Sequence, residues 1–412
     1  MKHLRSFRLL VLTQFLTVFN DNLFKQTVLL LAVGMAGSVS NQSLASALFS
    51  IPFVLFAVIA GDCADRFPKR TMVIASKWAE AVVMLLAAGT LLIGSFDALL
   101  IVVFLMGTQS AFLGPAKYGS LPELVSAEQL PRANGFFQAS VLVGILFGTG
   151  SAGHIPADRN HWLALLGVAM ALIALAGAWV AKGMVVIAPI APRKKIRFDP
   201  FRRLFSGLAD AKRLPGLLPA IVGHACFWMC GSLMLLAWNE FLAKPEGGEA
   251  LIQVSPGTWS IGLAGLSVFM AVGAMVAGWL LHQRIPRWMP VFGALGMAAG
   301  FGVAGFIKPS PTMLFLSLGG ASFFSGFYLI PLRSLMQKLP PPERIGATLG
   351  TAQMCDFLLI SLGTASRLWL QDLGLGTQSV LVLAAAVFVA AALMLARYLP
   401  ATIDLSAART AD

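Results

Sequence analysis

Apolar residues in this chain fall in long runs separated by short polar connectors rich in Gly, Pro and basic residues. A helix needs about 20 mostly apolar residues to cross a bilayer. Twelve segments meet that requirement: 9–34, 42–61, 71–93, 97–114, 133–155, 161–182, 216–241, 257–281, 288–307, 312–334, 347–368 and 377–398. The pattern predicts an all-α integral membrane protein with 12 transmembrane helices.

The first run breaks its own pattern. Asn20, Asp21, Asn22 and Lys25 lie at its centre, with Gln14 two turns earlier. A charged side chain at mid-helix costs roughly 2.5 to 3.5 kcal/mol on the insertion scale, so such groups face protein or water rather than lipid. On a helix, Gln14, Val18, Asp21 and Lys25 share one stripe, with Thr13, Thr17, Asn20 and Phe24 beside it. Asp21 and Lys25, at i and i+4, can serve a ligand or can neutralise each other.

Composition agrees with the membrane reading. Of 412 residues, 58% are hydrophobic and 12% charged, with a mean hydropathy of +0.80, whereas soluble domains carry about 25% charged residues. Forty glycines scattered through the apolar runs fit close helix packing in lipid. Cys63, Cys226, Cys230 and Cys355 lack framework spacing and are expected as free thiols. Lys2, Arg5 and Arg8 before an apolar run imitate a signal peptide, but no small-residue cleavage site follows, so the run is expected to be retained as a helix.

A net charge of +12 invites a nucleic-acid reading, which the placement of the charges removes. With the N-terminus inside, 25 of the 30 basic residues fall on the cytoplasmic side; Arg159, Lys244, Lys308 and Arg367 fall outside, and Lys25 is left within the membrane. That asymmetry predicts an N-in/C-in multi-pass protein whose basic face meets anionic membrane lipids, with no nucleic-acid partner.

The longest hydrophilic stretch divides the spans six and six. The expected organisation is a six-helix bundle over 1–182, a cytoplasmic linker over 183–215 and a second six-helix bundle with a short tail over 216–412. Phe198 to Arg203 in the linker fits either a short amphipathic helix on the headgroups or a solvated connector. The halves echo one another: Ala60-Gly61 with Ala277-Gly278, and Pro115-Ala116-Lys117 with Pro331-Leu332-Arg333. Parallel six-span repeats predict a two-bundle transporter with a midplane site.

Gly61-x-x-Ala64-Asp65-Arg66-x-x-Lys69-Arg70, between the second and third spans, resembles the signature loop of the major facilitator superfamily. The motif candidates are Gly61, Asp65, Arg66, Lys69 and Arg70. A helix end carries orphan backbone groups, so Asp65 can dock on a helix N-terminus while the arginines find acids or carbonyls. Such contacts would close the cytoplasmic side.

Three further segments resemble the bacterial lysophospholipid transporter family: Phe19 to Lys25, Gly114 to Leu124, and Arg132 to Ser140. The likeness is densest over 10–155 and returns around Phe327 to Leu332 and Gly346 to Gln353. Members often carry an acid where Gln138 stands, and an Asn or Glu near Asp356. The resemblance implies a major facilitator fold of two six-helix bundles in the bacterial inner membrane. It implies flipping of lysophospholipids such as lysophosphatidylethanolamine from the outer to the inner leaflet for reacylation. A functional link to a lysophospholipid acyltransferase, a monomer, and no cofactor follow with it. An exporter of drugs or other amphiphiles on the same fold is the alternative.

The candidate substrate-binding residues are Gln14, Asn20, Asp21, Asn22, Lys25, Lys117, Tyr118, Gln138, Gln353 and Asp356. Lys25 with Asn20 or Asn22 suits a phosphate, and Asp21 suits an amine. Lys117 and Tyr118 fit a departing phosphate or an interfacial pair. Gln353 and Asp356 share a helical face. Lys77 and Glu80 read as a structural pair near the cytoplasmic interface, and His224 as filling of the seventh span. Arg367, Asn239 and Glu240 are expected near the outer mouth. His154, Asp158 and His161 have ligand-like spacing, but Pro156 interrupts it, so no metal site is expected. The sequence contains no acyltransferase His-x-x-x-x-Asp, nucleophile elbow or P-loop, and no enzyme activity is expected.

Overall fold

A computed structural model describes residues 2–36, 39–152, 159–241, 256–281 and 284–404. Thirteen α-helices account for nearly all of them: α1 Lys2–Ala36, α2 Val39–Arg66, α3 Lys69–Ile93, α4 Phe96–Leu124, α5 Leu130–Ala152, α6 Arg159–Lys182, α7 Pro200–Arg213, α8 Leu217–Glu240, α9 Pro256–Leu280, α10 Trp288–Phe306, α11 Pro311–Lys338, α12 Ile345–Asp372 and α13 Thr377–Tyr398. Among the described residues, 11 helices are long and apolar enough to cross a membrane. Helix α1, of 35 residues, is outside that set because Asn20 to Asn22, Lys25 and Gln26 interrupt its apolar run.

Local chemistry sets the helix ends. The Ser95 hydroxyl accepts from Ala98 N–H at the start of α4, and Ser310 does the same for Met313 before α11. Gly94 ends α3 at φ 72°, a left-handed conformation that favours glycine. Helix α4 runs ten residues past the expected end at Gly114, with Pro115 and Pro122 inside it. Proline removes only one ladder donor, and neighbouring helices re-satisfy the carbonyl it frees in a membrane helix.

The helices pack in two compact units. The first comprises 1–126, 140–209 and 340–354; the second comprises 127–139, 210–339 and 355–412. In the first, α3 packs on α6, α2 on α4, and α1 on α6 and α4. In the second, α10 packs on α13, α9 on α11, and α8 on α13 and α11. The same scheme recurs six spans later, as the sequence echo predicts.

Glycine makes the tightest crossings possible. A Cβ on Gly61 of α2 would strike the Gly346 carbonyl of α12, and a Cβ on Gly278 of α9 would strike Pro131 and Arg132 at the start of α5. These two glycines are the ones paired by the echo. Two short strands were not foreseen: Arg284–Pro286 (β1) pairs antiparallel with Thr402–Asp404 (β2), so the chain returns after α13 to the turn beyond α9.

The segment 183–199 and the amphipathic α7 are anchored rather than merely solvated. Leu204 and Ala211 are buried while Phe201 and Phe205 stay exposed, and Arg203 pairs with Asp62. All four cysteines are free thiols. The His154, Asp158 and His161 segment lies outside the residues whose side chains are described, and no metal-binding cluster occurs among the described residues.

Candidate functional site

The polar break in α1 is the edge of a larger polar network inside the first unit. Asn20, fully buried, donates to Glu80 Oε1 of α3 at 2.7 Å and to the Met170 carbonyl of α6 at 3.1 Å. Lys77 pairs with Glu80 at 2.5 Å, both side chains wholly shielded. Gln109 of α4 reaches Glu80 Oε2 at 3.5 Å, and the Ser110 hydroxyl contacts Gln109 Oε1 at 2.9 Å and Asp21 Oδ2 at 3.3 Å. A chain of polar groups thus runs from Asp21 through Ser110 and Gln109 to Glu80 and Lys77.

This corrects the placement of Lys77 and Glu80. Glu80 is the twelfth residue of a 25-residue helix, so the pair sits at mid-helix rather than near an interface. Burial without compensation is costly, and the pair meets that cost with each other and two amides.

Asp21 and Lys25 form no direct ion pair, although the Asp21 carboxylate still acts on Lys25 through space. Among the described residues no ion pair within 4 Å joins them; Asp21 Oδ1 is shielded from solvent and accepts no hydrogen bond, while Lys25 is exposed and lies over the Phe49 ring, 5.4 Å from its centroid. Beside Lys25 is an apolar recess walled by Phe24, Val28, Ala45, Phe49, Val103 and Met106. Gln14 is buried with neither amide atom hydrogen-bonded. Asn22 donates to the Val18 carbonyl of its own helix at 2.8 Å, so its N–H serves the backbone.

The remaining candidates divide. Lys117 lies over the Tyr118 ring at 5.6 Å, and both belong to α4. Gln353 belongs to the first unit, its carboxamide filling the space where a Gly114 side chain would be. Asp356 belongs to the second, where it accepts from His224 at 2.8 Å. The two residues share a helix face in sequence but serve different packing units. Gln138 is buried on α5 in the second unit.

His224, read from sequence as filling, is fully buried between two charges, with Arg333 Nη2 2.6 Å from its Nε2 and Asp356 on its Nδ1. Arginine has no acceptor, so Nε2 must accept and Nδ1 must carry the proton. The neutral tautomer is fixed by its neighbours. The sequence signal for Arg333 was its echo of Lys117; for His224 there was none.

Arg367 is occupied by a bidentate pair with Glu240 at 2.7 and 2.8 Å and a bond to the Leu375 carbonyl at 3.2 Å, with Thr377 also donating to Glu240. That clamp engages all three nitrogens of a guanidinium expected near the outer mouth.

The signature loop makes a second cluster in the first unit. Asp65 Oδ1 accepts Gly346 N–H at 2.6 Å and Oδ2 accepts Ala347 N–H at 3.0 Å, capping α12 from another helix. Lys194 reaches Asp65 at 2.5 Å and Asp62 at 3.0 Å. Arg66 donates to the Lys194 carbonyl at 3.3 Å, Arg70 to the Lys182 carbonyl, and Lys69 pairs with Glu123. Asp62, Lys194 and Arg203 are the members that motif spacing alone did not reveal.

Residues 10–364 match the family model described as Major Facilitator Superfamily. Similar curated proteins include the lysophospholipid transporter LplT of Enterobacter sp. (strain 638), 30% identical over 334 residues spanning 79% of this chain and 78% of that protein. LplT of Escherichia coli O7:K1 is 27% identical over 338 residues, spanning 81% and 80%. Among solved structures, the major facilitator transporter FucP in the outward conformation superposes with a TM-score of 0.79 at 14% identity, covering 96% of this chain and 99% of that one. A bacterial homologue of the iron transporter ferroportin in the outward-facing state gives 0.72 at 15%, covering 95% and 99%. At such identities these structures show the fold alone.

Proposed function

We propose, for a chain that belongs to the Major Facilitator Superfamily and within it to the lysophospholipid transporters, that its task is to flip lysophospholipids such as lysophosphatidylethanolamine between the leaflets of a bacterial inner membrane. Movement is from the outer to the inner leaflet, by alternating access, and supplies lipid for reacylation. The observation that carries this reading is that Asp21 and Lys25, one turn apart, form no direct ion pair. Two opposite charges one turn apart that make no direct contact offer an acceptor to an ammonium and a donor to a phosphate.

The apolar recess beside Lys25 gives the first carbons of an acyl chain a wall. Asn20, Glu80 and Lys77 act behind Asp21, holding α1 on α3 through the polar network rather than touching lipid. The signature cluster is the gate: Asp65 holds the start of α12, and transport requires that cap to break and re-form.

The test is uptake of labelled lysophosphatidylethanolamine into vesicles containing the purified protein. Uptake above empty vesicles, competed by unlabelled lysolipid, supports the proposal. No uptake, or movement of amphiphilic dyes with no competition by lysolipid, overturns it in favour of a drug exporter.

A further inference from the structure

The Arg333–His224–Asp356 chain in the second unit has the chemistry of a proton-linked anion site. Its three residues come from three helices, α11, α8 and α12, and the two short contacts of 2.6 and 2.8 Å on opposite ring nitrogens leave His224 no freedom to turn. The neighbouring titratable side chains are Tyr328 of α11, which donates to the Gly223 carbonyl at 2.8 Å, and Cys226, Cys230 and Cys355, none of them in a disulfide. Helix α13, which packs on α8, carries no titratable side chain before Arg397 in its last turn.

Charge and donor counting then couple two events. With a neutral imidazole, the guanidinium and the carboxylate sum to zero, which a poorly solvated site requires. A proton on Nε2 would set an N–H against the arginine N–H and a second positive charge beside the first, so a protonated His224 and a docked Arg333 exclude each other. A phosphate arriving on Arg333 draws the guanidinium from Nε2 and adds one negative charge. A proton taken from solvent by the freed Nε2 restores the sum to zero.

We infer that Arg333 receives the phosphate of the lysolipid headgroup, and that His224, oriented by Asp356, takes up one proton as it does so. Resting on the lysolipid reading, this deepens it by adding to Lys25 of the first unit a further phosphate donor in the second unit, at the position that echoes Lys117 in the first. No covalent bond changes: the phosphate oxygen gains an arginine N–H, the imidazole gains a proton, and both are given back on release. His224 is a positioning and proton-holding residue, and Arg333 is the one of the three that touches substrate.

The experiment is lysophosphatidylethanolamine binding to the full-length protein in detergent, read by both calorimetry and a pH indicator in weak buffer. About one proton is taken up per lipid bound, and affinity rises as pH falls, by up to roughly tenfold per pH unit. His224→Gln, which cannot titrate, should bind with no proton uptake and no pH slope, and Arg333→Gln should weaken binding by roughly tenfold or more, with Arg333→Lys recovering part of the loss. Each variant is checked for a monodisperse elution profile, and His224→Gln keeps the test decisive should Arg333→Gln misfold. Wild-type protein that binds lysolipid without proton uptake overturns the inference alone, as does an unchanged pH slope in His224→Gln. Wild-type protein that binds no lysolipid overturns the functional reading beneath it. Inorganic phosphate or glycerophosphoethanolamine serve as chain-free probes; proton uptake driven by either of these and not by the lysolipid overturns the headgroup assignment.

Discussion

Asn20 on α1 donates to Glu80 on α3 at 2.7 Å, and the same carboxylate holds the Lys77 ammonium at 2.5 Å. One buried acid therefore ties the polar break of the first helix to the middle of the third. Removing Lys77 leaves that acid uncompensated. Lys77→Met should lower stability by about 3 to 5 kcal/mol, because a lone buried charge keeps its desolvation cost. Lys77→Met with Glu80→Gln should recover most of the loss. Thermal melts of the detergent-solubilised protein compare the single and double variants.

In the proposed function, Asp21 and Lys25 act on the ligand rather than on each other. Alanine at either position should abolish lysolipid uptake while the protein still inserts and elutes as one species. The exchange Asp21→Lys with Lys25→Asp preserves a charge pair on the helix but reverses which end meets the phosphate, and should not restore uptake. Full recovery in vesicles would show that mutual neutralisation is all the pair supplies.

The cap on α12 has a built-in reporter. Cys63 lies two residues from Asp65 and is partly exposed. Asp65→Ala removes the acceptor of two helix N–H groups, a loss of about 1 kcal/mol for an ordinary N-cap, and leaves Lys194 with Asp62 as its remaining carboxylate. With Cys226, Cys230 and Cys355 replaced by serine, Asp65→Ala and Lys194→Ala should each raise the maleimide labelling rate of Cys63 several-fold. An unaltered rate in both would remove the cluster from gating.

A methyl group at Gly346 has nowhere to go, since its Cβ would meet the Gly61 carbonyl and the Asp65 carboxylate. Backbone cannot swing aside, so Gly346→Ala should destabilise by about 1 to 3 kcal/mol, as overpacked sites do. Gly320, whose Cβ would meet nothing within 4 Å on α11, should accept alanine with little change. Melting curves of the two variants make the comparison.

The sequence by itself determined the membrane class, the order of the long apolar helices and the repeat, because each rests on local quantities. Runs near twenty apolar residues report bilayer thickness, and Gly61 and Gly278 report close backbone approach wherever a repeat brings helices together. It also marked Asp21 and Lys25, since a charge inside an apolar run is visible without a fold. Only the tertiary structure decided which charges are spent and which are spare. Arg367 is clamped by Glu240, and Asp65 is shared between Lys194 and the start of α12. His224 stands between Arg333 and Asp356, although 109 and 132 residues separate it from them. Hydrogen-bond partners on different helices are fixed by packing across long sequence separations, and no local pattern of residues records them. The i, i+4 spacing of Asp21 and Lys25 allowed a direct ion pair, and the side-chain positions, with Lys25 over the Phe49 ring, show none within 4 Å among the described residues.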